Sequence, residues 1–275
     1  MQEKTPDSLA VIAGRGVYPR LLAESAKKRG VRNLFAVAFR GETDRVIEKY
    51  ADHVRWVALG RLKDTLDALQ SSGSSRAVMA GQITPTHLFR LRMDRAMMML
   101  LRRLPVRNAH TIFGAVAEEL KKAGIDLIPA SSFMEPHMPE AGVLTVRRPT
   151  EEEKADVETG MKAAHVLSEL DIGQTVAVKR GTVIAAEAFE GTNAAIRRAG
   201  RLAGGGIVVV KKAKSGHDMR FDIPVAGTRT IRVLRKARAS VLALEAGRSI
   251  ILERDKVIAA ADRAGICVTA GKGPE

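Results

Sequence analysis

The sequence predicts an α/β protein of two domains, with a Rossmann-like parallel sheet in the N-terminal domain and a mixed α/β C-terminal domain. In the first half of the chain, short runs of Val, Ile, Ala and Leu alternate with helical stretches, which indicates a parallel sheet covered by helices on both faces. The length of 275 residues favours two domains, because one domain usually holds about 100 to 150 residues.

The N-terminal domain is predicted as strands and helices in alternation. Strands are predicted at 8–14, 34–38, 54–58, 76–80 and 125–130, and helices at 20–29, 62–70, 88–104 and 107–122. The first helix follows a glycine-rich turn and ends before Gly30, a residue type favoured just past a helix end. In open α/β sheets ligands bind beside the carboxyl ends of the strands, so the turns that follow the strands are the places to examine.

A linker at 136–150 is predicted to separate an N-terminal domain of residues 1–135 from a C-terminal domain of residues 151–275. The linker segment contains three prolines and one glycine, which disfavour regular structure. Directly after it, Thr150 and Glu153 have the spacing of a capping box at the start of a helix.

The C-terminal domain is predicted largely from local signals. The turn Arg180-Gly181 stands between two β-branched runs, which predicts a β-hairpin. The elements are helices at 151–170 and 192–199, hairpin strands at 175–179 and 182–187, a strand at 206–210, and strand-helix-strand elements ending at Val268.

The charge balance predicts an anionic partner. The formal net charge is +14, which fits nucleic acid, a phospholipid surface or a phosphorylated small molecule. Nucleic acid is disfavoured because aromatic residues make up 4% and no ribonucleoprotein or helix-turn-helix motif is found. A basic nucleic-acid-binding protein without enzymatic activity remains the alternative function.

Cysteine usage and the first residues predict a cytoplasmic protein. The single cysteine, Cys267, excludes a disulfide within the chain and a cysteine-based zinc site, and its apolar neighbours predict a buried thiol. No basic-then-apolar leader and no apolar run of about 18 residues is found.

Glycines after two predicted strands are candidates for phosphate binding. Gly14 and Gly16 precede a helix, so backbone amides and the helix N-terminus can face a phosphate. Pro19 stands where a dinucleotide fingerprint requires its third glycine, which disfavours a nicotinamide cofactor. Gly81 and Gln82 occupy the same kind of position after a later strand. The alternatives are a tight turn with positive φ and a helix-capping turn.

Polar clusters supply candidates for chemistry. His110 can bind phosphate or transfer a proton, or can be structural. The six histidines include no pair at zinc-ligand spacing, so a His-ligated transition metal is rejected. Glu187 and Glu190 end a strand, and such carboxylates suit Mg²⁺. The groups that suit a phosphorylated substrate follow at the next helix: Thr192, Asn193, Arg197 and Arg198. The alternative is a capped helix with a solvated basic face.

A second charged cluster lies further along the chain. Asp218 and Asp222 are candidate Mg²⁺ ligands, and Lys211 can neutralise phosphate charge, which is what phosphoryl transfer requires. The alternative is a polar surface loop.

Seven motifs together resemble one family, the UDP-2,3-diacylglucosamine pyrophosphatases of lipid A biosynthesis that are unrelated to metallophosphoesterases. The motifs are Leu9–Gly14, Ala80–Gln82, Arg107–Gly114, Leu170–Thr175, Glu187–Thr192, Ile196–Arg198 and Asp218–Pro224. They occur in matching order from about Ser8 to Thr269.

The resemblance implies a fold, a reaction and a set of site residues. It implies an inter-domain cleft that holds the lipid product, Mg²⁺ dependence, a catalytically critical Asp222, and hydrolysis to UMP and 2,3-diacylglucosamine 1-phosphate. The ligand contacts that it implies are Gly14, Gly81, Gln82, Thr192 and Lys211. The chain departs from the family at Asn193, where many members carry Asp, and at Arg15, where a small residue is frequent.

The segment 88–104 interleaves Met and Leu with arginines. Such a surface can meet acyl chains and an anionic membrane, which would make the protein peripheral at the inner membrane. A buried helix or a helix that forms a homodimer is the alternative.

Overall fold

The computed structural model describes residues 5–83, 92–106, 109–170, 172–213, 220–221 and 223–271, without the side chains of 109 and 110. The chain divides into two units. The first comprises residues 1–134 with 218–222, and the second comprises residues 135–217 with 223–275. The first contains a parallel sheet and the second a mixed sheet, which confirms the predicted α/β class.

The sheet of the first unit has five strands in the order β3-β2-β1-β4-β5. They are β1 Ser8–Ala13, β2 Asn33–Phe39, β3 His53–Val57, β4 Arg76–Ala80 and β5 Asp126–Ile128. All neighbouring pairs are parallel. The neighbouring strands β1 and β2 are almost wholly buried, because parallel sheets carry helices on both faces. The strand order reverses direction between β1 and β4, and such a switch point is where doubly wound sheets bind ligands.

Four helices of the first unit lie within the described ranges: α1 Tyr18–Lys28, α2 Leu62–Ser71, α3 Arg95–Arg103 and α4 Ala109–Lys122. Pro19 stands in the first positions of α1, where its fixed φ suits a helix start. The helix predicted over 88–104 is found as α3, and residues 84–91 lie outside the described ranges. Across the described part of the chain, no helix combines the length and apolar character required to cross a membrane.

The sheet of the second unit has six strands in the order β6-β13-β11-β9-β7-β8. They are β6 Gly142–Val143, β7 Thr175–Lys179, β8 Thr182–Ala186, β9 Ile207–Lys211, β11 Ala239–Glu245 and β13 Cys267–Gly271. The β9, β11 and β13 strands are parallel, and the other neighbours are antiparallel. A separate parallel pair consists of β10 Val225–Ala226 and β12 Ile250–Ile251.

The helices described in the second unit are α5 Glu151–Glu169, α6 Thr192–Ala203, α7 Thr228–Lys236 and α8 Arg254–Arg263. The predicted capping box is confirmed at the start of α5. The Thr150 hydroxyl accepts from the Glu153 amide at 3.2 Å, and the Thr150 amide donates to the Glu153 carboxylate at 2.9 Å. Cys267 is fully buried, as its apolar neighbours predict.

The predicted hairpin between β7 and β8 is confirmed, with Arg180 and Gly181 as the two turn residues. Their φ values of 49° and 73° are both positive, as in a type I′ turn. The buried Asp156 of α5 accepts from the amides of Arg180 at 2.9 Å and Gly181 at 2.6 Å. The helix therefore fixes the turn, which positions the start of β8.

The predicted linker at 136–150 lies within the second unit, which begins at residue 135, and part of it pairs with the sheet of that unit. Strand Gly142–Val143 pairs with β13. The Leu144 amide donates to the Val268 carbonyl at 2.9 Å, and the Thr145 hydroxyl accepts from the Val268 amide at 2.9 Å. These partners lie more than one hundred residues away in sequence, so local composition does not reveal them.

One short segment of the later half of the chain belongs to the first unit. The Phe221 ring lies 5.8 Å from the ring of Phe113 in α4, centroid to centroid. Phe221 also packs on the apolar core of that unit. The prediction that the C-terminal domain is continuous from 151 to 275 is therefore wrong at this point.

Candidate functional site

The turns after β1 and β4 meet at the carboxyl edge of the parallel sheet. The Gly14 amide donates to the Ala80 carbonyl at 2.7 Å. The Arg15 amide donates to the Gln82 carbonyl at 2.8 Å, and the Gln82 amide donates back to Arg15 at 3.1 Å. The structure therefore brings Gly14, Gly81 and Gln82 together at the switch point, although they are far apart in sequence.

The close approach of these turns explains two of the glycines. A Cβ atom on Gly14 would lie 2.7 Å from the Gln82 carbonyl oxygen, and one on Gly81 would lie 2.8 Å from the Arg15 carbonyl oxygen. Gly16 has a φ of 94°, but among the residues that the structure describes no atom lies within 4 Å of the place where its Cβ would stand. Space therefore remains beside Gly16, directly before α1, where a ligand phosphate can approach the backbone.

Alanine at Gly81 is expected to destabilise the protein more than alanine at Gly16. Both residues have positive φ, at 95° and 94°, so each variant loses about 1 to 2 kcal/mol to backbone strain. Gly81→Ala adds a backbone clash, which typically costs about 1 to 3 kcal/mol more. Urea unfolding of both variants measures the difference. Equal losses would contradict the close packing of the two turns.

The loop after β2 contributes a buried acid that sequence reasoning missed. Arg15 Nε lies 3.2 Å from Glu42 Oε2, and the Glu42 side chain is only 4% exposed. The Thr43 hydroxyl donates to the Ala13 carbonyl and accepts from the Phe39 amide at 2.9 Å. Polar residues directly after a buried strand are the same signal that drew attention to Gln82. The Arg15 side chain, which departs from the family pattern, therefore braces this loop.

A second polar cluster lies at one edge of the mixed sheet. The Thr192 hydroxyl donates to Glu187 Oε1 at 2.8 Å, and the hydroxyls of Thr192 and Thr175 lie 3.4 Å apart. Thr175 pairs with Lys211 across β7 and β9. The Glu187 amide donates to the Thr175 carbonyl at 2.8 Å. Three of the predicted site residues, Glu187, Thr192 and Lys211, are thus placed on neighbouring chain segments.

The second carboxylate oxygen of Glu187 is the unusual atom of this cluster. Oε2 is buried, and it has no hydrogen-bond partner among the residues that the structure describes. A buried acceptor without a donor destabilises the folded state by roughly 1 to 3 kcal/mol, and by more when the acceptor is charged. The oxygen is therefore available to a hydroxyl, an ammonium or a metal ion of a ligand.

Glu190 and Arg198 form an ion pair beside this cluster. Arg198 donates to Glu190 Oε1 at 2.6 Å and to the Ala186 carbonyl at 2.8 Å. The hydrogen bond from Arg198 holds the pKa of the Glu190 carboxyl below its ordinary value. Arg197 is exposed, and Asn193 is half-buried at the start of α6. Arg198 therefore fixes the strand end, whereas the Arg197 side chain faces solvent.

A buried lysine and glutamate stand at the ends of β9 and β11, which sequence reasoning also missed. Lys212 Nζ lies 3.4 Å from Glu245 Oε1, and both side chains are at most 6% exposed. The Ala213 amide donates to the same carboxylate at 3.1 Å. The neighbouring Lys211 donates from Nζ to the Val225 carbonyl at 3.0 Å. The sequence signal that could have revealed this pair is a charged residue at the end of an apolar strand.

Several predicted site residues lie outside the described ranges. Asp218 and Asp222 are among them, and so is the His110 side chain. In the ranges that are described, no three His, Cys, Asp or Glu side chains are grouped to hold a metal ion. Glu187 Oε2 has the chemistry of a Mg²⁺ ligand, since hard cations prefer carboxylate oxygens.

These features are typical of an α/β enzyme with two units. Constrained glycines lie at the edge of the parallel sheet, and a buried, incompletely bonded carboxylate lies at the edge of the mixed sheet. The LpxI N-terminal domain family matches residues 8–137, and the LpxI C-terminal domain family matches residues 140–269. The chain therefore belongs to the LpxI family.

A curated relative supports this assignment over the full length. It is 30% identical over 273 residues, covering 94% of this chain and 96% of the relative. The relative comes from Caulobacter vibrioides and is named UDP-2,3-diacylglucosamine pyrophosphatase LpxI. The family resemblance found in the sequence motifs is confirmed.

Two solved structures show weak similarity to this chain. The biotin carboxylase domain of Hydrogenobacter thermophilus 2-oxoglutarate carboxylase has a TM-score of 0.30 at 10% identity, covering 75% of this chain and 38% of that chain. The ADP complex of purK, N5-carboxyaminoimidazole ribonucleotide synthetase, has a TM-score of 0.29 at 12% identity, covering 86% and 46%. The chain spans less than half the length of either structure.

Proposed function

We propose that this protein hydrolyses the diphosphate of UDP-2,3-diacylglucosamine to UMP and 2,3-diacylglucosamine 1-phosphate in lipid A biosynthesis, with Mg²⁺ as cofactor. Membership of the LpxI family and the name of the Caulobacter vibrioides relative support the substrate and the reaction class. The structural observation that favours catalysis over simple binding is the buried oxygen Oε2 of Glu187, which has no hydrogen-bond partner among the described residues, because enzymes place such groups where a reacting ligand completes the bonding.

The first unit is proposed to bind phosphate through its backbone. Within the described ranges no side chain caps the start of α1, so its first amides can face an anion. Gly16 leaves space in front of these amides. Gly14, Gly81 and Gln82 keep the two turns in register, and Gln82 is exposed, so its side chain can reach a ligand.

The second unit is proposed to supply charge. Lys211 and Arg197 provide positive groups for the phosphate oxygens, and Arg198 holds Glu190 and the end of β8 in place. The hydrogen bond from Thr192 orients Glu187 so that Oε2 faces the ligand. The resemblance makes Asp222 the critical aspartate. We propose that Asp222 would hold Mg²⁺ with help from Glu187, Glu190 or Asp218, and a bound Mg²⁺ would neutralise the diphosphate and polarise it.

The net charge of +14 is proposed to serve the anionic substrate rather than nucleic acid. The reaction consumes a nucleotide-activated substrate, so we place the enzyme in the cytoplasm. Gel-shift measurements with a salt titration test whether the charge serves nucleic acid, since the affinity of purely electrostatic binding falls steeply with salt. Binding that persists at high salt or that prefers one sequence would contradict it.

Chelation of Mg²⁺ is expected to reduce hydrolysis to about one hundredth or less, and added Mg²⁺ is expected to restore it. The measurement uses purified protein, synthetic substrate and mass spectrometry of the products, with EDTA as chelator. Equal amounts of UMP and diacylated sugar 1-phosphate are the expected products. UDP with a free diacylated sugar, or unchanged turnover in EDTA, would contradict the proposal. Water labelled with ¹⁸O shows which phosphorus is attacked.

A further inference from the structure

Helix α3 exposes a methionine surface that the proposed hydrolysis does not use. Leu100 is the only buried residue of its nine. Met98 and Met99 are each 44% exposed, and Val106, just beyond the helix, is 55% exposed. Adjacent large apolar groups on one exposed surface indicate an interaction site more often than isolated ones do.

Basic side chains surround these methionines. Residues 92–106 contain four arginines and one aspartate, which gives a net charge of +3. All four arginines, at positions 92, 95, 102 and 103, are exposed. Arg102 follows Met98 by four residues and Arg103 follows Met99 by four, so each exposed methionine lies beside an arginine on the helix surface.

The nearby carboxylates are already bonded elsewhere. Asp94 accepts from the Met97 amide at 2.8 Å and from the Lys63 amide at 2.8 Å. The two carboxylates of α2 pair with its own cations, Asp64 with Arg61 at 3.1 Å and Asp67 with Lys63 at 2.7 Å. Within the part of the chain that the structure describes, the four arginines form no ion pair. Their charge is thus available to an anionic partner.

Asp94 also determines how the surface is presented. Its carboxylate caps the start of α3 and the start of α2 at the same time, which fixes α3 on the first unit. Leu100 is only 6% exposed and anchors the opposite side of the helix. The exposed methionines are therefore held on a formed helix, and little conformational entropy is lost when they bind.

We propose that α3 and its flanking residues, 92–106, dock this protein on an anionic phospholipid bilayer. Met98, Met99 and Val106 would enter the boundary between headgroups and acyl chains, and the arginines would contact lipid phosphates. A second copy of the chain fits this face poorly, because a symmetric contact would oppose two identical sets of arginines. The inference goes beyond the hydrolysis, which requires no bilayer.

An environment-sensitive label tests insertion directly. The chain contains one cysteine, and Cys267 is fully buried, so a cysteine introduced on the surface can be labelled selectively. Met98→Cys is labelled with NBD, and Leu202→Cys in α6, which is 67% exposed, is the control. Vesicles of phosphatidylcholine with phosphatidylglycerol should shift the emission of the label at 98 to the blue. The label at 202 should not respond.

Paired charge reversals test the arginines. Arg102→Glu/Arg103→Glu alters the last turn of α3, and Arg235→Glu/Lys236→Glu makes the same charge change in the last turn of α7. The first pair should weaken vesicle binding about tenfold or more in sedimentation at low salt, because each basic residue near an anionic surface contributes about fivefold. The control pair should bind within about twofold of the unmodified protein, since neither residue belongs to the proposed contact at 92–106.

The outcomes distinguish this inference from the proposed function, because vesicle binding requires no turnover. Both charge-reversal variants should hydrolyse a dispersed short-chain substrate normally. The inference is overturned if the unmodified protein does not bind vesicles, if both charge pairs lower binding equally, or if the blue shift at position 98 follows protein concentration without lipid, as in a dimer. Loss of hydrolysis with intact vesicle binding would overturn only the proposed function.

Discussion

Replacing Asp222 by alanine is expected to reduce hydrolysis of the diphosphate about a thousandfold while the protein stays folded. The family resemblance makes Asp222 the catalytically critical aspartate, and we propose that it holds the metal. Losing a charge interaction of several kcal/mol in the transition state gives this factor, since each 1.36 kcal/mol changes a rate tenfold. Steady-state assays at saturating Mg²⁺ measure the loss, and circular dichroism checks the fold.

The sequence neighbours of Asp222 explain why the fold should survive the substitution. Phe221 packs on Phe113 in the first unit, and Ile223 is only 9% exposed and belongs to the second unit. We therefore expect these apolar neighbours to keep their places when the carboxylate at 222 is removed. Asp222→Asn separates charge from size, and Asp255→Asn, at an exposed position in the first turn of α8, is the matched control. Turnover of Asp222→Ala close to that of the control would remove Asp222 from the mechanism.

Glu187→Gln is expected to lower hydrolysis about a hundredfold without destabilising the protein. Glutamine keeps the size of the side chain, and its amide oxygen can still accept from Thr192. The negative charge at the buried position of Oε2 disappears, and one preorganised polar group typically contributes about a hundredfold or more to the rate.

The stability of the Glu187→Gln variant tests independently whether Glu187 is a functional or a structural residue. A buried carboxylate oxygen without a partner destabilises the folded state, so removing the charge should leave the melting temperature unchanged or raise it. Lower activity with equal or higher stability is typical of a functional group held under strain. Glu169→Gln, on the exposed end of α5, serves as the control. A lower melting temperature together with normal turnover would identify Glu187 as a structural residue.

Local signals in the sequence predicted the elements that depend on neighbouring residues. The hairpin of β7 and β8 was predicted because Arg180-Gly181 suits a two-residue turn. The start of α5 was predicted because the side chains of Thr150 and Glu153 can each accept a hydrogen bond from the other's backbone amide. The five strands of the parallel sheet were predicted from their apolar runs, although β5 is shorter than expected.

Features that depend on distant pairing were not predicted. The two-residue strands β6, β10 and β12 have too few residues to show a period, and each exists only because its partner lies beside it. The contact between the Gly14 and Gly81 turns likewise follows from strand order. Glu42 and Glu245 were missed for a related reason, since a charge at a strand end becomes informative only once its burial is known.

The candidate site was predicted in part. The pattern of carboxylate, glycine turn and helix start indicated Glu187 and Thr192 together, and the structure shows their hydrogen bond. The sequence did not indicate that Arg198 holds Glu190. Glu190 lies in the turn before α6 and Arg198 lies eight residues later within that helix, and such a pair has no periodic signature.

The placement of Phe221 on the first unit has a consequence for how members of this family recombine. The two family domains meet near residue 138, and the sequence alone would place a gene fusion at that point. A hybrid made there would inherit Phe113 from one parent and Phe221 from the other. Successful shuffling therefore requires parents whose aromatic pair is compatible, or a donor segment around residue 221 exchanged along with the first half.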